Sequence, residues 1–274
     1  MRTTRMKHFA ATACAALVAA AALAAPAHAG IHYRATTKSE GGRGAAQSMQ
    51  VEAWVDGPNA KVLFADSDNP MLGTGTYLIS NDGGATLFLV NPEEKTYSQF
   101  DLGALMAGAG AMLKAMGPMM KISFSNQKVE KLAEEPGPSI LGYATTHYKF
   151  RTSYDSSIKV MGMGQSSHND SVTDTWTTTE LSDAGFGAWL RREPKTGIED
   201  LDNMIAAEMS KGIRGVPLKM ASATTTKDQR GNETKTNMTM EVTALKQEAV
   251  PAGTFAIPKD YERTELAPAM PGRP

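Results

Sequence analysis

Three histidines, His32, His147 and His168, lie beyond the N-terminal leader, and they are the side chains whose charge can change near neutral pH. They fall on separate strands or loops, and none belongs to an HExxH pair or another closely spaced ligand pattern. His168, in the run Gln165-Ser166-Ser167-His168-Asn169-Asp170 with Asp174 nearby, is the one local cluster with acid–base potential. That run reads as an exposed loop, where such residues are usually solvated. No serine occupies a GxSxG elbow. Gly162-Met163-Gly164 is followed by Gln165 and two serines, so it lacks the third glycine and the strand-to-helix setting of a dinucleotide loop. No catalytic residue and no cofactor is assigned, and the chain is read as a non-enzyme.

Soft ligands remain. Thioether sulfurs suit copper(I), and Met161 and Met163 with His168, or Met238 and Met240, are candidates for a copper(I)-binding protein. The two-residue spacing of Met238 and Met240 fits one face of a buried strand equally well. The single cysteine, Cys14, lies inside the leader, so beyond it there are no disulfides, thiolate metal sites or cysteine nucleophiles.

The basic start MRTTRMKHF runs into an alanine-rich apolar tract that ends at Ala27-His28-Ala29, with Gly30 following; this is the pattern of a secretory signal peptide over residues 1–29. Cleavage removes Arg2, Arg5 and Lys7, three of the 28 basic side chains, and leaves 25 against 29 acidic ones, a formal charge of −4. That balance argues against nucleic acid as a partner. The expected organisation is one domain over residues 30–266 and a disordered tail over 267–274, with a periplasmic location, or secretion as the alternative. No transmembrane segment is expected after cleavage.

The elements are mostly strands. Met49 to Val55 alternates with period 2 and turns at Asp56-Gly57-Pro58-Asn59; Lys61 to Ala65 follows. Thr76 to Ser80 and Thr86 to Val90 flank Asn81-Asp82-Gly83-Gly84, the clearest hairpin, and Lys95 to Phe100 comes next after a proline turn. Further strands are expected at 122–127, 145–153, 157–161, 171–180, 216–226 and 233–246, with Glu134 to Pro138 as a connecting loop. Helices are expected near Asp101–Met120 and Ile198–Lys211. No internal repeat is visible beyond the recurring hairpins. The pattern predicts a mainly β fold with inserted helices: a curved antiparallel sheet or unclosed β-barrel whose concave face the helices cover.

The segment DLGALMAGAGAMLKAMGPMM, Asp101 to Met120, sets the functional expectation. It has five methionines and a stripe at Leu102, Leu105, Met106, Ala109, Met112, Leu113 and Met116, while its other face is glycine and alanine relieved by Lys114. Leaving six large apolar side chains in water would forgo about 1.5–3 kcal/mol each, so something covers them. The helix either plugs the sheet as core or acts as a movable lid. Gly103, Gly108 and Gly110 cost roughly 1 kcal/mol each in a helix interior, and methionine repacks easily around apolar ligands. The candidate ligand-binding residues are Leu105, Met106, Met112, Leu113, Met116, Met119 and Met120. The partner would be a lipid or other apolar small molecule; an envelope protein meeting the helix is the alternative.

The block GTYLISNDGGATLFLVNPEEKTYSQFD, the apolar Met/Gly/Ala segment after it, and the C-terminal VPAGTFAIPKDY resemble a family of exported bacterial proteins with a domain of unknown function, related to the LolA/LolB-like lipoprotein-carrier superfamily. The resemblance implies a LolA-like unclosed barrel with helices over an apolar concave face. In lipoprotein carriers that cavity holds acyl chains.

Overall fold

The computed structural model describes residues 30–42, 46–69, 72–115, 117, 119–161, 163–181 and 199–265. The leader, the tail and Met116 lie outside these residues. Twelve strands form one sheet: β1 (Gly30–Gly41), β2 (Gln47–Asp56), β3 (Asn59–Ser67), β4 (Tyr77–Ser80), β5 (Thr86–Asn91), β6 (Thr96–Asp101), β7 (Met120–Ile140), β8 (Tyr143–Val160), β9 (Met163–Thr178), β10 (Val216–Asp228), β11 (Glu233–Glu248) and β12 (Glu262–Thr264). Helix α1 spans Leu102–Ala115 and α2 spans Glu199–Met209. The spatial order is β12-β6-β5-β4-β3-β2-β1-β11-β10-β9-β8-β7, so the sheet is open, with β12 and β7 as its edges. It is mixed rather than purely antiparallel, because β12 lies parallel to β6.

Antiparallel partners point their side chains to the same side, and neighbours along a strand to opposite sides. One face, here the first, carries Ile31, Tyr33 and Ala35 of β1, Ala53 and Val55 of β2, and Val242 opposite Ala35. Around them Ile31, Ala35, Leu181, Val216, Leu218 and Val242 form a buried core. The second face has its own core at the other end of the sheet, where Tyr77, Ile79 and Val90 pack beneath Phe255, Ile257 and Tyr261. The C-terminal segment is held down as it crosses this core. Asn81 donates to the Phe255 carbonyl at 3.3 Å, Lys95 pairs with Asp260 at 3.0 Å, and the Glu262 amide donates to the Lys95 carbonyl at 2.9 Å.

Several expectations need correction. Glu134 to Pro138 is strand, not loop, inside a β7 of 21 residues. Pro136 and Pro138 are tolerated there because β7 is an edge and pairs only with β8, so a missing amide proton breaks no inner ladder. The segments 145–153 and 157–161 are one continuous β8, and the run containing His168 belongs to β9. β1 and β12 were not anticipated. β1 buries alternate residues between charged and threonine neighbours, and β12 is three exposed residues. Register shifts at Arg34/Ala35, Gln50/Val51, Pro217/Lys219 and three places along β7 bend the sheet locally.

Both helices have visible boundary chemistry. The Asp101 carboxylate accepts from the Ala104 amide at 2.7 Å and caps α1, which stops before Gly117-Pro118. α2 opens with Glu199, Asp200 and Asp202, favourable at a helix N-terminus. Its Asp200 accepts from the Phe124 amide at 3.2 Å, which ties the helix to β7. Lys211, just past α2, sits 5.4 Å over the ring of Phe150, a first-face residue, so α2 lies over that face.

Ile79 is fully enclosed, and Ile79→Ala is expected to cost about 2–5 kcal/mol. Phe255→Ala, at the half-buried cover, should cost less, about 1.5–3 kcal/mol. Urea unfolding followed by circular dichroism measures both; a Phe255→Ala value near zero would mean that the C-terminal segment does not close the second core.

Candidate functional site

The first face changes character along the long strands. Near the core it is apolar, with Tyr148 and Phe150 buried on β8. Toward the far ends of β8–β10 it becomes a ladder of hydroxyls. Ser156 and Ser167 are 2.9 Å apart, Asn169 donates to the Ser156 hydroxyl at 3.1 Å, and Thr226 donates to the Asn169 side-chain carbonyl at 2.9 Å. Farther in, Thr224 donates to Ser171 at 3.0 Å, and Ser222 lies 3.1 Å from Ser171 and 3.2 Å from Thr173. An open groove of about 510 Å³ runs over this floor, lined by Ser156, Ile158, Gln165, Ser167, Thr226 and Thr236 among others, with Arg230 at its end. The Arg230 turn is rigid, because Asp228 accepts from the amides of Arg230 at 2.8 Å and Asn232 at 2.9 Å. The Arg230 guanidinium has no ion-pair partner among the described residues. A ligand here meets hydroxyls, amides, the Arg230 cation and the Asp228 carboxylate that holds the turn, with Ile158 at the rim.

Beyond Ile158 the groove opens onto exposed apolar side chains. The Met161 amide donates to the Met119 carbonyl at 2.8 Å, which places the end of the Met-rich segment against the turn between β8 and β9. Met120 pairs with Val160, and Val160 with Met163. Two methionine groups distant in sequence therefore meet at one tip. Leu105 and Met119 of the proposed ligand residues are exposed. Met106, Met112 and Leu113 lie within α1 and Met120 opens β7, but their side chains are outside the described set, as is Met116 altogether. Of the described α1 positions only Gly110 is buried. His168 does not join the methionines. It pairs with Asp155 at 2.7 Å on the second face, whereas Met163 belongs to the first. Among the described residues, no group of His, Asp and Glu side chains is arranged to hold a metal ion.

The second face carries two matching clusters that no motif reading found. His32 stacks on Trp54, its partner across β1 and β2, with centroids 4.8 Å apart and planes 8° apart. Its Nε2 lies 2.8 Å from Glu52 and its Nδ1 2.9 Å from Glu248. Arg34 holds Glu52 at 3.1 Å, and Lys61 lies 5.7 Å over Trp54. On β8 and β9, His147 stacks on Trp176 at 4.7 Å and 13°. Its Nε2 lies 2.8 Å from Asp174 and its Nδ1 3.3 Å from Glu135; Lys149 holds Asp174 at 3.4 Å, and Lys219 lies 5.8 Å over Trp176. The units β11-β1-β2-β3 and β7-β8-β9-β10 thus repeat one another, His-Tyr-Arg/Lys facing Glu/Asp-x-Trp in each. The signal was present as His32-Tyr33-Arg34 and His147-Tyr148-Lys149, too short to register as a repeat. Gly137 gives the second cluster room: a Cβ there would stand 2.9 Å from Cδ1 of Trp176. Both ring nitrogens of His32 and His147 are spent on carboxylates, which leaves neither for a substrate. These clusters fix strand register.

Burial pushes the Glu52 carboxyl upward, but the hydrogen bonds from His32 and Arg34 outweigh it and hold the group below its ordinary value of 4.5. Hydrogen bonds from Asn126 and His168 likewise hold the Asp155 carboxyl low. A carboxylate depressed by folding stabilises fully above its unfolded value and loses that contribution as the pH falls through the folded one. Glu52→Gln should therefore lower stability by roughly 0.5–1 kcal/mol at pH 7 and by much less below the ordinary carboxylate range. Urea midpoints at pH 7 and pH 3 measure the difference; an equal loss at both pH values would show that the charge does not matter.

The sequence profile of DUF4412, a domain of unknown function, matches residues 65–261, more than half of the chain. Both blocks of the resemblance, residues 75–101 and 250–261, lie inside that span. No curated protein matches the chain. Among solved structures, the chain is similar to a LolA superfamily protein from Nitrosomonas europaea at 10% identity, covering 84% of this chain and 90% of that one, with a TM-score of 0.31. It is similar to a conserved protein from Thermus thermophilus at 8% identity, with 85% and 90% covered and a TM-score of 0.34. A DUF1329 family protein from Desulfovibrio piger shows 10% identity, 84% and 90% coverage and a TM-score of 0.32.

Proposed function

The chain belongs to the DUF4412 family, whose domain has no assigned function, and from its first face we propose that it is an exported, non-enzymatic protein that binds an amphiphilic lipid there. The observation that carries this reading is the direct passage from a hydroxyl-floored groove of about 510 Å³ to an apolar rim at Ile158, Val160 and Met163. A wholly apolar ligand would leave the hydroxyls and Arg230 unused, and a wholly polar one would leave the rim in water. An amphiphile uses both: its head meets Ser167, Thr226 and Arg230, and its chain runs toward the tip. Each methylene of that chain taken out of water contributes about 0.8 kcal/mol. In this reading Leu105, Met106, Met112, Leu113, Met116, Met119 and Met120 cover the chain, and their flexible side chains adapt to its length. The non-enzymatic reading is supported by His32 and His147, whose nitrogens are already engaged.

Export to the periplasm is supported by the basic start, the alanine-rich apolar tract and Ala27-His28-Ala29, with Gly30 the residue that would follow cleavage. The domain would then span residues 30–266. No helix among the described residues is long and apolar enough to cross a membrane.

Protein purified from the periplasm is expected to carry a bound amphiphile, identified by native mass spectrometry and organic extraction, and to take up a fluorescent fatty acid. Ser167→Ala combined with Thr226→Val should weaken uptake about thirtyfold, near 1 kcal/mol for each of the two hydrogen bonds to the head. Reproducible absence of lipid together with no uptake would sink the proposal. The meeting of Met119 with Met161 favours a second reading, a thioether copper(I) site. Titration with copper(I) against a competing chelator would reveal a tight site in that case and none in a lipid binder.

A further inference from the structure

The tip formed by the start of β7 and the β8–β9 turn presents a group of large apolar side chains to solvent. Met163 is 78% exposed, Met161 71% and Met119 54%, and Val160 and Ile158 beside them are also exposed. Apolar side chains gathered in this way mark an interaction surface, in contrast to singly scattered ones. The tip is held in shape. Met161 takes the turn position with φ of 50°, and its amide is bonded to the Met119 carbonyl of the neighbouring strand.

Its charge is one-sided. Lys121 and Lys159 are direct cross-strand partners within the tip, on the second face. The Lys159 stem lies along Gly164 of β9, where a Cβ would meet its Cγ at 3.0 Å. The stem thus lies in the gap the glycine leaves, with the ammonium at its exposed end. No acidic residue occurs between Asp101 and Glu130 or between Asp155 and Asp170, although the whole chain has 29 acidic side chains against 28 basic ones. An apolar end with two lysines on one face, built from segments that carry no carboxylate between residues 102 and 129 or 156 and 169, matches a surface that offers hydrocarbon depth below a layer of negative charge.

We propose that this tip docks the protein onto an anionic lipid bilayer, with Met161 and Met163 entering the headgroup layer and Lys121 and Lys159 meeting lipid phosphates. Shallow insertion of apolar side chains and attraction of lysines to anionic lipid reinforce one another. This docking stands independently of any lipid held in the groove, although Met119, Ile158, Val160 and Met163 border both.

Sedimentation of the purified chain with phosphatidylglycerol vesicles at low ionic strength tests it. The vesicles are expected to carry the protein down, phosphatidylcholine vesicles about tenfold less, and added salt should release it. Lys121→Ser with Lys159→Ser, and separately Met161→Asn with Met163→Ser, should each weaken sedimentation about tenfold while the melting temperature holds; asparagine accepts the positive φ at position 161. The groove variant Ser167→Ala/Thr226→Val should sediment like the parent, so a groove without lipid and a tip that does not dock are told apart. Absence of sedimentation with phosphatidylglycerol vesicles, or sedimentation unchanged by both tip variants, would overturn the proposal.

Discussion

Sliding one of the long strands by a single residue would exchange Ile31, Tyr33 and Ala35 for His32, Arg34 and Thr36, and would turn the first-face core into a charged surface. Every feature of the two faces rests on that register. Hydrogen-bonded ladders alone do not choose it, because a strand rich in threonine and serine pairs acceptably in several offsets. The stacked His–Trp pairs do choose it. Each is a direct cross-strand pair, each is flanked by a carboxylate two residues before the tryptophan, and each has a lysine on the next strand over the indole. A slip would break stacking, ion pairs and cation–π contact together. Placing one such lock in each four-stranded unit fixes β1–β3 and β8–β10 and leaves the β10–β11 pairing to follow.

An open sheet of twelve strands also has two edges to protect. β12 is three exposed residues, too short to template another strand. β7 is long, and its exposed run carries Lys128, Glu130, Lys131, Glu134 and Glu135, then Pro136 and Pro138. Charges and prolines on an edge discourage pairing with another chain. The feature that makes Glu134 to Pro138 resemble a loop in sequence is therefore the feature that lets it be an edge strand.

That point explains what was legible. The hairpins from Tyr77 to Asp101 could be read because their turns carry their own chemistry: Asp82 accepts from the Thr86 amide at 2.9 Å, and Gly83 and Gly84 supply positive φ. α1 could be read from its cap and its Gly-Pro stop. Features that depend on a distant partner could not. The strand character of the His168 run comes from β8 and β10 on either side, the burial in β1 from β11 at the other end of the chain, and the meeting of Met119 with Met161 from the pairing of β7 with β8. The Met-rich segment could be recognised as apolar from its composition, but the hydroxyl floor of the groove arises from single serines and threonines on three strands, each unremarkable alone.

The two ends of the sheet differ in how far they are covered. Around β3–β6 the second face is closed by Phe255, Ile257 and Tyr261, and Lys61 lies 4.2 Å over Tyr77, its ammonium pulled below the usual 10.5 by burial. Around β7–β9 the far ends extend past the cores, and their first face holds an open groove and an exposed tip. Surface left without apolar cover lowers local stability, and binding elements are drawn from such regions. The closed end can support the open one because a single sheet joins them, and the strands beneath the groove have their register pinned by His147 and Trp176. An unclosed sheet is suited to this arrangement, since closure into a barrel would bring β7 to the opposite edge and cover the side on which the hydroxyl floor lies open.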